Sequence, residues 1–294
     1  MAMAARSIEQ SHITTKSLPP GFGVEILGMD VANASPSDLE IFDAICRNNP
    51  VVVVRDQKLD AAQVVKLAGR LGRLSSQHRT GPHPEFPEIS ILSNKKVDGK
   101  YIGAHEVGRS WHTDGTTYTK LGLVTMLYGV ECPAEGSDTL IADTAAAWEA
   151  LPPERRAELE KVQVVHSRLK LFQKYKAQLS EDDMRNMHDV VHPIVVTSPV
   201  DGRKALFLTK GSTKGMVGMS DEDAHKLMDE LVQFATQERF VYRHRWRPHD
   251  ILIWNDLATV HSATSYDETK YDRLVYRAWM RPFTTEFEEI GPAH

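Results

Sequence analysis

Apolar and polar positions repeat along this chain with two periods, and each period predicts an element. Leu39, Phe42, Ile45 and Cys46 recur at helical spacing. Ser35-Pro36-Ser37-Asp38 just ahead supplies a cap, a first-turn proline and the acid of a capping box, so a helix starts there. A second helix opens at Asp60, with Val64, Leu67, Ala68 and Leu71 inward and Gly72 at its end. Between the two, Val51-Val52-Val53-Val54 is apolar at every position, which predicts a strand buried on both faces. Val24 and Ile26 mark an earlier strand within 22–31, and residues 1–18 read as a frayed polar arm.

Further strands are predicted over 89–92, 123–128, 139–142, 162–166, 192–197, 205–208, 240–246, 251–254 and 274–280. Asp201-Gly202 is a hairpin signal between two of them. Helices are predicted over 145–151 and 153–159, and another after the capping sequence Ser220-Asp221-Glu222-Asp223, with Leu227, Leu231 and Phe234 on one face. Residues 94–109 and 168–189 are polar and charged and read as long loops; loops of that length inside a domain usually serve function. Strands set between irregular loops, with flanking helices, predict one mainly-β domain over 19–294 built as a sandwich. The spacing argues against alternating βαβ units.

Composition narrows the function. The chain has 294 residues, enough for a large core, with 41% hydrophobic and 26% charged residues, as in a globular domain. A net charge of −5 gives no general attraction to nucleic acid or to an acidic membrane surface. No apolar run approaches the roughly 20 residues of a membrane span, and no apolar core of a secretory signal stands at the N-terminus, so a cytoplasmic protein is expected. Cys46 and Cys132 are the only cysteines; this excludes a cysteine-rich zinc module and predicts two buried free thiols, with one disulfide as the alternative. No glycine-rich phosphate loop follows a strand, so a nucleotide cofactor has no support.

The candidate chemistry centres on Trp111-His112-Thr113-Asp114-Gly115-Thr116. In an extended strand, residues two apart share a face, so His112 and Asp114 present an imidazole and a carboxylate side by side. A third ligand from elsewhere would complete the two-histidine, one-carboxylate face of non-haem Fe(II) oxygenases; a satisfied polar pair is the alternative. Trp254-Asn255-Asp256-Leu257-Ala258-Thr259-Val260-His261 places a histidine beyond a strand. Arg273 and Arg277 follow, four apart on the next strand and so on one face if no bulge intervenes. Buried charge needs a partner, and the guanidinium fork grips carboxylates, so two arginines point to two anions, or to one anion and one structural ion pair.

The set His112-x-Asp114, His261 and Arg273 resembles the TauD/TfdA family of Fe(II)- and 2-oxoglutarate-dependent dioxygenases. The likeness spans residues 20–282 and includes Arg55-Asp56-Gln57, Gly136-Ser137-Asp138-Thr139 and Gly202-Arg203-Lys204-Ala205-Leu206-Phe207. It implies a double-stranded β-helix (jelly-roll) core, with His112, Asp114 and His261 as iron ligands. It implies that Arg273 and Thr139 hold the distal carboxylate of 2-oxoglutarate. O₂ would then hydroxylate a substrate C–H bond, with succinate and CO₂ released. By the same resemblance Arg277 anchors a small anionic substrate, a carboxylate, sulfonate or sulfate ester, with Thr116, Lys100 and His78 as further contacts. A homo-oligomer, dimer or tetramer, is also implied.

Three departures from the family pattern bear on this. Asn255-Asp256 inverts the usual order before the distal histidine, Ser198 stands where many members carry histidine, and Thr116-Thr117-Tyr118 replaces Ser/Thr-Phe. The retained carboxylate Asp114 argues against halogenation, because halogenating relatives lack it. Two other readings remain open on sequence. One is a tailoring oxygenase or desaturase of secondary metabolism with the same cofactors. The other is a metal-binding protein or zinc hydrolase on the same fold, which would leave Arg273 and Thr139 without a purpose.

Overall fold

The computed structural model describes residues 12–75, 81–122, 124–174, 187–198 and 202–281. Its strands, in chain order, begin with β1 (Thr14–Ser17), β2 (Val24–Leu27), β3 (Val51–Val54), β4 (Arg73–Leu74), β5 (Ile89–Ser93), β6 (Lys96–Val97), β7 (Lys100–Tyr101), β8 (Val124–Glu131) and β9 (Thr139–Asp143). They continue with β10 (Gln163–His166), β11 (Val190–Pro193), β12 (Val195–Thr197), β13 (Lys204–Leu206) and β14 (Thr213–Met216). The last four are β15 (Val241–His244), β16 (Ile251–Asn255), β17 (Thr259–Ala263) and β18 (Leu274–Arg281). The helices are α1 (Pro36–Asn48), α2 (Ala61–Leu71), α3 (Thr144–Glu149), α4 (Pro153–Leu159), α5 (Arg168–Lys174) and α6 (Asp221–Ala235).

The major sheet runs β1-β2-β3-β16-β8-β18-β4, with β5 also paired to β18. A second sheet, β15-β9-β17, faces it, and the separate groups β11-β10-β14 and β12-β13 stand apart from both. Val51-Val52-Val53-Val54 shows how the layers are held. Val52 and Val54 pack with Phe42 of α1 and Leu67 of α2, while Val51 and Val53 pack with Trp254 of the same sheet and Ile141 of the opposing one. Full burial stabilises each such side chain by roughly 1.5–3 kcal/mol, which is why a strand with no polar position sits between helices and a second sheet. The far face of the second sheet buries Ala142 and Val260 against Trp148 of α3 and Leu231 of α6. Two facing, largely antiparallel sheets with helices on the outside form the expected jelly-roll, or double-stranded β-helix.

Both early helices start where their capping sequences put them. Ser35 accepts from Asp38 N–H and Asp38 accepts in return; Asp60 and Gln63 do the same at α2. At α6 Ser220 accepts from Asp223 N–H, but the Asp223 carboxylate takes the Ser220 hydroxyl rather than the backbone.

Four expectations change. The arm does not extend to residue 18: Thr14–Ser17 pairs with β2 and Leu18 is buried. Its threonines are exposed on an edge strand, so no apolar alternation marks it. The stretch 94–109 is not wholly loop, because Asp98 and Gly99 both take positive φ and close the β6–β7 ribbon, the backbone that a two-residue hairpin turn needs. The expected strand through His112 is a single bridge residue paired with His261, after which Asp114 enters a turn at Gly115, whose φ is 77°. The expected loop over 168–189 opens as α5, and its residues 175–186, like Asp201 of the hairpin signal, lie outside the described residues.

Candidate active site

A cavity of about 510 Å³ lies between the two sheets, within the range of small-molecule sites. Leu127, Trp254, Arg277 and Trp279 line it from the major sheet, and Thr139 and His261 from the opposing one. His112, Asp114 and His261 come together on its wall, each with a ligand atom within 4.8 Å of the others. His112 Nε2 is 3.7 Å from one Asp114 oxygen, and His261 Nε2 is 3.8 Å from the other.

Backbone pairing sets this arrangement. His112 N–H donates to the His261 carbonyl at 3.0 Å and His261 N–H returns a bond to His112 at 2.8 Å. Their rings lie side by side, 4.2 Å between centroids. His112 Nδ1 is 2.6 Å from the Ser110 carbonyl, which can only accept, so Nδ1 carries a proton and Nε2 is the nitrogen that faces Asp114. Burial, and after it the neighbouring His112, push His261 down to about 3, which keeps that ring neutral at neutral pH. Burial works to raise Asp114, but His261, His112 and Arg277, together with a 2.8 Å bond from the Trp279 indole, hold it below the ordinary carboxylate range. A neutral His261 and an ionised Asp114 are the protonation states that a divalent ion requires of them.

Asp256 braces the triad. It accepts from Thr125 Oγ1 at 2.6 Å, from the Trp254 indole at 3.1 Å and from the Asp114 backbone at 3.3 Å. Burial and the nearby Asp114 charge push its carboxyl well above the usual range. It also stands 3.9 Å from His261 Nδ1, a buried nitrogen with no hydrogen-bond partner. The inverted Asn255-Asp256 pair therefore keeps a carboxylate behind the metal-ligand candidates, while Asn255 accepts from Leu257 N–H in the turn.

Arg273, one residue ahead of β18, and Arg277 within it line the same cavity. The pairing of β18 with β8 shifts register between Leu274 and Val275. The extra residue is Val130 on β8, so both arginines still reach the site. Arg273 has no carboxylate within ion-pair distance among the described residues; burial lowers its pKa first, with Tyr266 and Cys132 acting against that. Thr139 Oγ1 accepts from the Trp246 indole at 3.0 Å, which leaves its own hydroxyl hydrogen to donate into the cavity. Arg277 Nε donates to Ser90 Oγ at 3.2 Å, and its guanidinium lies 4.2 Å from the Trp279 ring centroid.

The structure brings Thr116 to the cavity wall, buried and bonded to Ser212 at 2.8 Å. Lys100 is a correction: it stands exposed on the β6–β7 ribbon and is absent from the cavity lining, because the Asp98-Gly99 turn carries it outward. His78 lies outside the described residues. Sequence reasoning missed Trp279, Asp256 and Arg168. Trp279 shares a strand face with Arg277, two residues apart, which was the available signal.

The chain resembles known proteins over most of its length. It is 31% identical over 230 residues to pentalenolactone F synthase of Streptomyces arenae, covering 72% of this chain and 74% of that protein. It is 29% identical over 268 residues to the alpha-ketoglutarate-dependent 2,4-dichlorophenoxyacetate dioxygenase of Cupriavidus pinatubonensis, covering 87% and 93%. The fold matches that of AAD-2, crystallised with Mn(II) and N-oxalylglycine, with a TM-score of 0.79 at 23% identity over 95% of this chain and all of that one. A taurine dioxygenase from Burkholderia xenovorans superposes with a TM-score of 0.74 at 25% identity, over 92% and 89%. The family model described as taurine catabolism dioxygenase TauD, TfdA family matches residues 14–279, so the chain belongs to that family and is a 2-oxoglutarate-dependent dioxygenase.

Proposed function

We propose that His112, Asp114 and His261 hold Fe(II), that Arg273 and Thr139 hold the distal carboxylate of 2-oxoglutarate, and that the enzyme hydroxylates a small organic anion bound by Arg277 and Thr116. The observation that carries this reading is Arg273, a half-buried guanidinium on the triad's cavity with no carboxylate partner among the described residues. An uncompensated charge withdrawn in part from water is costly, and a bidentate carboxylate relieves that cost. Thr139 adds a donor for a remaining lone pair. The donor set fits the ion: two imidazoles and a carboxylate suit Fe(II) and similar divalent metals.

When bound, iron, 2-oxoglutarate and O₂ supply the oxidising chemistry, with succinate and CO₂ as by-products. The chain's own residues position the reactants. His112 is fixed by Ser110, Asp114 by Trp279, and Arg277 points a charge into the cavity near Asp114. Leu127, Trp254 and Trp279 give the cavity dry walls, which strengthen each charged contact. The relatives named for 2,4-dichlorophenoxyacetate and for sulfonate support an organic anion as substrate.

The test is an anaerobic titration of the metal-free protein with Fe(II) and then 2-oxoglutarate, followed by the weak visible charge-transfer band of the chelate. The band is expected in the wild type, with affinity lowered about a hundredfold in Arg273→Ala, in line with the roughly 2–5 kcal/mol lost when one partner of a buried charge pair is removed. Iron binding with no band would remove 2-oxoglutarate from the reading.

Likeness to pentalenolactone F synthase favours a second reading, a tailoring oxygenase or desaturase with the same cofactors. Product mass separates the two: hydroxylation adds one oxygen, and desaturation removes two hydrogens. A cytoplasmic location is consistent with two free cysteines, and no helix among the described residues is long and apolar enough to cross a membrane. A homo-oligomer is the expectation that light scattering would test.

A further inference from the structure

We propose that His166 is a positioning residue of the substrate pocket. Through Ser212 it directs the hydroxyl hydrogen of Thr116 into the cavity, so that Thr116 donates to an oxygen of the anionic substrate. This rests on the reading of Thr116 as a substrate contact.

Three buried polar side chains link the core to the cavity wall. His166, the last residue of β10, has no exposed surface, and its Nδ1 stands 3.1 Å from Ser212 Oγ. Ser212 is equally buried, and its Oγ stands 2.8 Å from Thr116 Oγ1. Thr116 lines the cavity. The backbone is shaped to make these contacts. The β10–β14 ladder slips where the chain of side chains begins: Val165 pairs with Gly215 but His166 pairs with Thr213, so Lys214 is an extra residue. A bulge of this kind re-aims a side chain. Ser167 N–H donates to Ser212 O at 2.7 Å, and Thr113 N–H donates to Leu208 O at 3.1 Å. These bonds tie residues 208–212 to the end of β10 on one side and to the stretch carrying Asp114 and Thr116 on the other.

The direction of the hydrogen bonds follows from the ring. Burial, and after it the neighbouring His192, push His166 down to about 3, so the imidazole is neutral and carries one proton. Its Nε2 is buried with no hydrogen-bond partner among the described residues. The ring meets Phe207 edge-on and lies beside His192, 6.1 and 5.7 Å between centroids. A proton on Nε2 would be a stranded donor, whereas a proton on Nδ1 is used on Ser212 and strands only a lone pair. Orphaned buried N–H groups are the rarer of the two. Nδ1–H therefore donates to Ser212 Oγ, Ser212 donates to Thr116 Oγ1, and the Thr116 hydrogen is left for the cavity. The other tautomer would reverse each bond and show an anion nothing but lone pairs. Bonds aligned in one direction also polarise one another, which makes the last hydroxyl a better donor than a lone threonine.

The experiment uses the full chain loaded with Zn(II) and 2-oxoglutarate, a diamagnetic complex that does not turn over. With isotope-labelled histidine rings, long-range proton–nitrogen correlation tells a protonated Nδ1 from a protonated Nε2. His166 is assigned by the signals that vanish in His166→Asn. A protonated Nδ1 is expected; a protonated Nε2 overturns the proposal. Affinity is then read by calorimetry with phenoxyacetate, hexanoate and hexanesulfonate as probes. Thr116→Val should weaken the tightest-binding probe about tenfold or more, the size of a hydrogen bond to a charged group. His166→Leu, and Ser212→Ala at the middle of the chain, should each weaken it about threefold or more. His166→Asn, whose amide can place an N–H where Nδ1 stood, should recover most of that loss. In the Thr116→Val background His166→Leu should add less than about twofold, because a relay ends at the hydroxyl it serves. An equal loss in both backgrounds assigns His166 to packing alone and overturns the proposal. Wild-type affinity in Thr116→Val, or binding of no probe at all, would overturn the reading of the substrate site as well. A tenfold loss in Thr116→Val with none in His166→Leu or Ser212→Ala keeps that reading and removes only the relay.

Discussion

Trp279 joins the two halves of the site through one side chain. Its indole N–H bonds Asp114 and its ring lies under Arg277. Replacing it with phenylalanine keeps the apolar bulk and removes the donor. Residues that orient metal ligands typically contribute 10–100-fold in affinity, so Trp279→Phe should weaken Fe(II) binding by about that factor. The loss has a pH signature. The indole bond helps hold Asp114 low, so without it the folded-state pKa rises and protons compete with metal over a wider acid range. Anaerobic metal titrations at pH 5.5 and 8 check this; equal loss at both would contradict the proton-competition account. The triad was legible because His112-x-Asp114 and His261 sit in recognisable motifs. Trp279 was not, since an indole in an apolar strand reads as core, and Arg168 was not, since a cation in a charged stretch reads as solvated.

Among elements, β18 has the most to do with the site. Its pairing with β8, β5 and β4 fixes which face carries Arg277 and Trp279, and Arg273 lies just ahead of it. Helices α1 and α2 act at a distance by covering the outer face of the same sheet. Their boundaries could be read from local chemistry, because a capping box involves residues three apart and needs no tertiary partner. Ser35→Ala should cost about 1 kcal/mol in urea unfolding with no change in 2-oxoglutarate affinity, since the capping box is far from the cavity lining. A change in affinity would show that α1 couples to the site. The short β6–β7 ribbon and the single bridge at His112 escaped the sequence reading, because two-residue and one-residue pairings show no period.

Over the whole molecule, buried histidines set the acid limit of stability. Burial lowers His166 to about 3, and it also lowers His192 and His244. In the unfolded chain each titrates near about 6.5, so below that pH the unfolded state binds more protons than the folded one. Stability is therefore complete above about pH 6.5 and falls as pH drops toward 3, by up to about 1.4 kcal/mol per pH unit for each such group. Asp256, raised in the fold, works in the opposite sense. Urea midpoints of the metal-free protein between pH 7.5 and 4.5 should fall on this slope, and His166→Gln should flatten it by one group's share. An unchanged slope in that variant would remove His166 from the account. The sequence by itself determined the elements with a strong local period, the free thiols, the ligand motifs and the family likeness, because these depend on residues near one another along the chain or on recognisable motifs. Only the tertiary structure decided that His112 and His261 exchange backbone bonds, that Asp256 and Trp279 close around Asp114, that Lys100 stands exposed outside the cavity lining, and that Arg168 joins Arg273 and Arg277 on one cavity. The histidine pairing joins residues some 150 positions apart, and a local pattern carries no register for such a pair.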